Sequence, residues 1–252
     1  MVMKLLENKV AIVTGAGSAL GIGRATARMF AEHGARVALT DIDEEGLGDS
    51  GRVLGQPHKT YVCDVTDRQT CLNTVDRVVN DFGGVDVLVN NAGVVHGTRI
   101  TDIQPEEYDQ ILGVNLRGHF HMAQAVVPRM RERGAGNIVC VSSIAGRAGG
   151  GVFGSSHYAA AKSGIFGFAK GLARELAPEG IRVNAIAPGP IDNDFTRGKM
   201  TPEDKARIAK GIPMGRLGTP DEVASVILFL ASDLASYVTG VVLDVNGGLL
   251  IH

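Results

Sequence analysis

The sequence predicts an α/β fold, a doubly wound parallel sheet of seven strands with helices on both faces. Two observations predict it. Short β-branched runs alternate with longer helical segments along the whole chain, and a glycine-rich loop lies between the first such run and the first helix. Strands buried on both faces and alternating with helices imply a covered parallel sheet.

The elements follow in order. Val10–Thr14 is a continuous apolar run, the mark of a buried strand. A helix over Arg24–Glu32 follows, with Gly34 placed to end it. Further strands are expected at Arg36–Thr40, Thr60–Cys63, Val85–Val89, Asn137–Val141, Ile181–Ile186 and Val241–Val245. Helices are expected at about 67–81, 106–133, 157–177 and 221–231. The least regular stretch is Asp192–Pro213, rich in charge and broken by Pro202, and it is read as a flap over a site. No linker, repeat or low-complexity segment divides the chain, so one domain spanning residues 1–252 is expected.

Composition narrows the function classes. With 252 residues, 44% hydrophobic content and a net charge of −2, the chain can bury one large core but carries no basic excess for nucleic acid. Its apolar stretch Val223–Ala231 is far shorter than the roughly 20 residues of a membrane span. Lys4, Glu7 and Lys9 interrupt the N-terminal apolar run, so no secretory segment is expected. Cys63, Cys71 and Cys140 have no metal-ligand spacing; no metal is expected, and a reducing cytoplasm fits.

Val10–Thr14 runs into Gly15-Ala-Gly-Ser-Ala-Leu-Gly-Ile-Gly23 and then into a helix. Strand, glycine loop and helix in that order offer backbone N–H groups and a positive helix end to a pyrophosphate. Asp41 closes the second strand, where an acid accepts hydrogen bonds from an adenosine ribose. A carboxylate there repels an additional 2′-phosphate. No basic residue follows it before Arg52, and Leu20 rather than a cation precedes Gly21, so NAD is expected over NADP. The alternative for Asp41 is a surface turn beside Asp43, Glu44 and Glu45.

Tyr158 and Lys162 lie four residues apart, on one face of a helix, with Ser142 and Ser143 ending an apolar run upstream. Alone, such a pair is commonly a solvated surface feature. Beside a dinucleotide it is a hydride-transfer site. A nearby ammonium favours the phenolate and lowers the tyrosine pKa. The tyrosine then exchanges a proton with an alcohol or ketone, and a serine hydroxyl holds the substrate oxygen.

Taken together, Thr14–Gly23, Asp64-Val65, Asn90-Asn-Ala-Gly93, Asn115, Ser143, Tyr158-Ala-Ala-Ala-Lys162 and Pro188-Gly189 occur in the order of the short-chain dehydrogenases/reductases, which the chain resembles over nearly its whole length. The resemblance implies a Rossmann fold and a set of roles. Gly15, Ser18, Gly21, Ile22 and Gly23 would meet the pyrophosphate, and Asp64 and Val65 would bracket the adenine. Asn91, Ala92 and Gly93 would line the crevice. Asn115 would hold a water in a proton relay. Ser143 would orient the substrate, Tyr158 would be the acid/base, and Lys162 would bind the nicotinamide ribose and lower the tyrosine pKa. Pro188, Gly189 and Ile191 would hold the nicotinamide end. It also implies a homotetramer, assembled through the helices at 106–133 and 157–177 and through the C-terminal Gly240–His252.

The chain departs from the family pattern in four places. The glycine loop is two residues longer than the family's, so either Gly15 or Gly17 is its first glycine. The Ser143-to-Tyr158 segment is about two residues longer and glycine-rich. Asn193 replaces a frequent threonine, and Asn246 replaces a frequent aspartate before Gly247-Gly248, read as structural. His96, Phe153, Ser155 and His157 are substrate-pocket candidates, with Arg147 and Asp192 at its mouth. Their polarity suits a polyol, sugar or hydroxy-ketone, and the histidines would serve equally as rim residues. The leading expectation is NAD-dependent interconversion of a secondary alcohol and a ketone. Its rivals are an NADPH-dependent reductase of 3-oxoacyl-carrier substrates and a dinucleotide-binding sensor without turnover.

Overall fold

A computed structural model describes residues 4–150, 154–195 and 200–251 of the chain. The pocket candidate Phe153 and residues 196–199 of the expected flap lie outside them. Seven strands form one sheet in the order β3-β2-β1-β4-β5-β6-β7, with every pairing parallel. The strands are β1 Val10–Thr14, β2 Arg36–Asp41, β3 Lys59–Val62, β4 Val87–Asn90, β5 Gly136–Val141, β6 Ile181–Pro188 and β7 Val242–Val245. The helices are α1 Ile22–Glu32, α2 Glu44–Leu54, α3 Arg68–Phe82, α4 Pro105–Leu112, α5 Gly118–Arg133, α6 Ala145–Ala148, α7 Ser156–Leu176, α8 Pro202–Lys210 and α9 Pro220–Ala231. This is the doubly wound Rossmann arrangement that the sequence predicts.

Strand alternation sends neighbouring side chains into two cores. Val10, Ile12, Leu88, Ile138, Cys140 and Val183 face one core with residues of α3, α5 and α7. Ala11, Val13, Val37, Leu39, Val89, Val139 and Val141 face the other, with α1 and α9. Burial on both faces explains why the central strands read as unbroken apolar runs. Strand order reverses between β1 and β4, which opens a crevice at the carboxyl ends of those strands.

Three features correct the sequence reading. The helix expected over 106–133 is two helices joined by a π-helical turn, Gly113–Arg117, with Asn115 inside it. Such turns insert one residue into the helical ladder and recur at functional sites. A second is α2, a helix that the sequence reading did not single out. Gly46, Gly48 and Gly51 weaken its propensity and blur its periodicity. Packing requires two of them: a Cβ on Gly46 would lie 2.8 Å from the Gly17 carbonyl oxygen, and one on Gly51 would lie 2.7 Å from the Thr60 methyl. Asp43 caps this helix by accepting the Gly46 N–H.

Third, the segment 192–213 contains α8. Pro202 opens that helix instead of breaking it, because proline's missing N–H is not needed in the first turn. Thr201 and Asp204 form a reciprocal capping box, as Thr219 and Glu222 do at α9.

Candidate active site

The ends of β1 and β4 are tied together before any ligand is considered. The Thr14 hydroxyl oxygen accepts the N–H groups of Asn91 and Ala92, both at 2.9 Å. In return the Asn91 side-chain amide donates to the carbonyls of Thr14 at 2.8 Å and Gly15 at 3.1 Å. Asn91 therefore braces the mouth of the crevice and is more than a turn former.

Gly15 has φ +67°, and a Cβ on it would lie 2.9 Å from Ala92 Cα. A Cβ on Gly23 would lie 2.2 Å from the Gly15 carbonyl oxygen. No side chain could enter either place. Gly17 has a different role: its N–H donates to Asp41 Oδ2 at 2.8 Å, while Asp41 Oδ1 accepts the Asp43 N–H. The positive φ and the contact with Gly23 single out Gly15 as the loop's turning glycine, while Gly17 meets the end of β2.

Support from behind comes from residues that the sequence reading did not single out. Arg24 donates to the Ser50 hydroxyl at 2.6 Å, and that hydroxyl donates to the Ala16 carbonyl at 2.6 Å. No periodicity or motif marks Ser50, because it acts through α2, itself hidden by glycines.

The fit to a dinucleotide can be tested on the chain itself. Gly21 begins α1 without a side-chain cap, so the first N–H groups of Ile22 and Gly23 have no side-chain acceptor. They stand at a helix N-terminus that follows the glycine loop, the kind of helix end a pyrophosphate takes. Asp41 closes β2 beside the loop. Asp64 Oδ1 accepts the Thr66 N–H and hydroxyl and fixes the turn after β3, where Val65 packs against Gly118. The Ser18 hydroxyl donates to Asp194 Oδ1 at 2.5 Å, linking the loop to the segment after β6. These features fit a nicotinamide dinucleotide.

Tyr158, Lys162, Ser143 and Asn115 converge on the other side of the crevice. Tyr158 and Lys162 are buried in the first two turns of α7. Ser143 follows β5, and its hydroxyl oxygen accepts the Ala145 N–H at 3.1 Å. Ser142 is structural: its hydroxyl donates to the Lys162 carbonyl at 2.6 Å. Lys162 Nζ lies 5.8 Å from the Tyr158 ring centroid and donates to the Val141 carbonyl at 3.1 Å. Asn115 donates from Nδ2 to the carbonyls of Val94 and Ile111, both at 2.9 Å, while its buried Oδ1 has no protein partner. That orphaned acceptor faces Gly93, where a Cβ would lie 2.8 Å from Asn115 Oδ1 and 3.4 Å from Lys162 Nζ. Glycine at 93 thus leaves room between the asparagine and the lysine.

The electrostatics differ from the expectation in one respect. Burial pushes the Tyr158 phenol up to about 12, and a hydrogen bond with Ser143 opposes that rise. Burial pulls the Lys162 ammonium down to about 8.

After β6, which Pro188 closes, Gly189 donates its N–H to the Val245 carbonyl at 2.9 Å. Ile191 is buried and bridges Gly218. Asn193 Oδ1 accepts the Phe195 N–H, and the Phe195 ring stands 6.5 Å from that of Tyr158. Asn246 bonds Gly248 and Leu250 through its side chain, consistent with a structural part. Of the pocket candidates, Ser155 precedes α7 and contacts the His96 carbonyl, whereas the His157 ring is buried against Glu107. Arg147 pairs with Asp244 of β7.

Comparison with known proteins agrees with this geometry. A family model described as enoyl-(acyl carrier protein) reductase matches residues 15–250. The uncharacterized short-chain type dehydrogenase/reductase y4mP of Sinorhizobium fredii is 47% identical, over 98% of this chain and 100% of its own length. The 3-oxoacyl-[acyl-carrier-protein] reductase FabG of Thermotoga maritima is 45% identical, over 98% of this chain and 99% of its own. The crystal structure of gox2181 superposes with a TM-score of 0.91 at 38% identity, covering 97% of this chain and 96% of that one. The chain belongs to the short-chain dehydrogenase/reductase family and is an oxidoreductase of CH–OH groups that uses a nicotinamide cofactor.

Proposed function

We propose that the protein interconverts a secondary alcohol and a ketone with NAD, using Tyr158 as acid/base. The observation that carries this reading is the convergence of Tyr158, Ser143, Lys162 and the orphaned Asn115 oxygen on one crevice, opposite an uncapped helix N-terminus. When bound, the cofactor supplies the carbon that takes or gives the hydride.

The residues do the rest. Ser143 orients the substrate oxygen and hydrogen-bonds Tyr158. Tyr158 takes the alcohol proton during oxidation and returns it during reduction. Lys162 binds the nicotinamide ribose and, with its charge at that ribose, favours the phenolate. Asn115 Oδ1 accepts from a water that passes protons toward Lys162. Asp41 receives the adenosine ribose and discriminates against a 2′-phosphate by like-charge repulsion. Gly15, Ser18, Gly21, Ile22 and Gly23 meet the pyrophosphate; Asp64, Val65, Asn91, Ala92 and Gly93 flank the adenine side and crevice; Pro188, Gly189 and Ile191 hold the nicotinamide. Phe195 and α8 form the substrate flap.

A second reading is supported by the relatives named 3-oxoacyl-[acyl-carrier-protein] reductases, at 45% and 41% identity. In that reading the ketone is a 3-oxoacyl thioester. The deciding experiment compares kcat/KM on polyols, hydroxy acids and cyclic alcohols with kcat/KM on a 3-oxoacyl thioester. Preference for a free alcohol or ketone supports the first reading, and thioester preference replaces it with the second. A cytoplasmic homotetramer completes the proposal. Exposed Phe120 on α5, near Phe168 of α7, and exposed Leu249 and Ile251 suit subunit contacts. Sedimentation as a monomer would contradict it.

A further inference from the structure

One cluster of ionisable groups beside the site has no part in the chemistry described so far. Glu107, in the first turn of α4, stands between two histidines. Its Oε1 accepts from His157 Nε2 at 3.0 Å and lies 3.6 Å from His96 Nδ1. Its Oε2 accepts the Thr98 hydroxyl at 3.0 Å. On the far side of the His157 ring, Nδ1 lies 3.3 Å from the Ser155 hydroxyl. Ser155 in turn donates both its N–H, at 3.2 Å, and its hydroxyl, at 3.3 Å, toward the His96 carbonyl.

The network joins two segments, which the Ser155 bonds to the His96 carbonyl also link directly. One is the loop from Val94 to Gln104, which leaves β4 just after Gly93. The other is the start of α7, which carries Tyr158. The loop's beginning is already engaged, because the Val94 carbonyl accepts the Asn115 amide and Val94 and Val95 pack on the cluster containing Tyr158. On the helix side, a Cβ on Gly154 would lie 2.6 Å from Tyr158 Cδ1, so the backbone before Ser155 abuts the Tyr158 ring. His157 adjoins Tyr158 in sequence, is 3% exposed, and its ring meets Glu107. Burial pushes the Glu107 carboxyl up, but the bonds from Thr98 and His157 and the nearby His96 outweigh it and hold it below the usual carboxylate range. A carboxylate with all these partners is an anchor rather than a free acid.

We propose that Glu107 is a positioning residue for hydride transfer: by bridging His157 of α7 to His96 and Thr98 of the loop after β4, it sets the substrate wall against Tyr158. The inference rests on Tyr158 as the acid/base. It gives Ser155 and His157 a place in the wall's frame rather than in contact with substrate. The dinucleotide loop lies at the other end of the crevice and is outside this network.

The test uses E107A, E107Q, H157A and the E107A/H157A double variant of the full-length protein. Glutamine keeps an acceptor for His157 and a donor for Thr98. The expected loss of kcat/KM for the alcohol is about 30-fold in E107A, carried more by KM than by kcat, with the KM for NAD within about twofold. E107Q should recover to within about threefold of wild type. The double variant should be no worse than E107A alone, because both changes break one link. Wild-type kinetics in E107A, equal impairment in E107Q and E107A, or additive losses in the double variant would each overturn the proposal.

Hydrogen–deuterium exchange reads the same clamp without a substrate. E107A should exchange about tenfold faster at residues 94–104 and 154–158, with the amides of β1 and α1 unchanged. Unchanged exchange in both segments overturns the clamp. Absence of alcohol turnover in the wild type would sink the functional reading while leaving this second result decisive for the clamp.

Discussion

Across the crevice, two halves of one site are held by different forces. In the dinucleotide half, backbone meets backbone: Gly23 has room for no side chain beside Gly15, and Gly15 has none beside Ala92. In the substrate half, the geometry rests on side-chain hydrogen bonds, from His157 to Glu107 and from Asn115 to the Val94 and Ile111 carbonyls. The first construction tolerates almost no substitution at its two closest glycines, although the Asn91 and Asp41 side chains also bond its backbone. The second can be redrawn by exchanging a few polar residues. That difference suits a fold whose cofactor is constant and whose substrate varies.

The largest expected effect breaks the substrate half at its centre. Tyr158→Phe should lower kcat about 1,000-fold or more, within the usual contribution of a positioned acid/base. The dissociation constant for NADH, followed by fluorescence titration, should stay within about twofold. Next comes Asp41→Ala, which removes the carboxylate at the end of β2. It should cut the ratio of kcat/KM for NAD over NADP by about 10- to 100-fold, the scale of one or two lost polar discriminations. A ratio unchanged by that substitution would mean that the acid serves only Gly17 and Asp43.

Gly23→Ala tests the backbone half directly. Forcing a Cβ to 2.2 Å from a carbonyl oxygen must shift α1 or the loop. Overpacking of this kind costs about 1–3 kcal/mol, visible as a lower Tm, and dinucleotide affinity should fall with it.

Most of the dinucleotide half is legible in the sequence, because steric demands there admit only glycine and leave a spaced signature. The strands are legible for a related reason: two cores on either face of the sheet make β1, β4 and β5 largely apolar. Boundaries shift by a residue or two, as where β4 starts at Val87 rather than Val85. The substrate half is less legible. Glu107 reads as an ordinary acid in a helix's first turn, and nothing local shows that its partners are Thr98 and His157. Asn115 is visible as a residue, but its π-helical turn is not, since its neighbours keep a helical pattern. Only tertiary packing reveals α2, whose glycines argue against the helix they allow to dock.

The smallest expected effect concerns a buried group behind the site. Burial, and then the nearby Lys162 charge, lower the His119 imidazole to about 3. As pH falls below about 6.5, the unfolded chain takes up a proton that the folded protein refuses. The contribution of neutral His119 is therefore fully present above pH 6.5 and is lost progressively toward pH 3. The slope is about 1.4 kcal/mol per pH unit in that window. His119→Gln should flatten the dependence of unfolding free energy on pH between 4 and 6 by about one proton, measured by urea denaturation. A slope unchanged by the substitution would show that the ring is protonated inside the fold.

Both halves meet in one assay. Initial rates at 340 nm, with NAD⁺ and NADP⁺ in parallel on the same alcohol, test at once whether the crevice transfers hydride and whether Asp41 selects the cofactor. The account predicts NAD⁺-dependent turnover with kcat/KM about 100-fold above that with NADP⁺. Turnover that favours NADP⁺, or none with either cofactor, would contradict it.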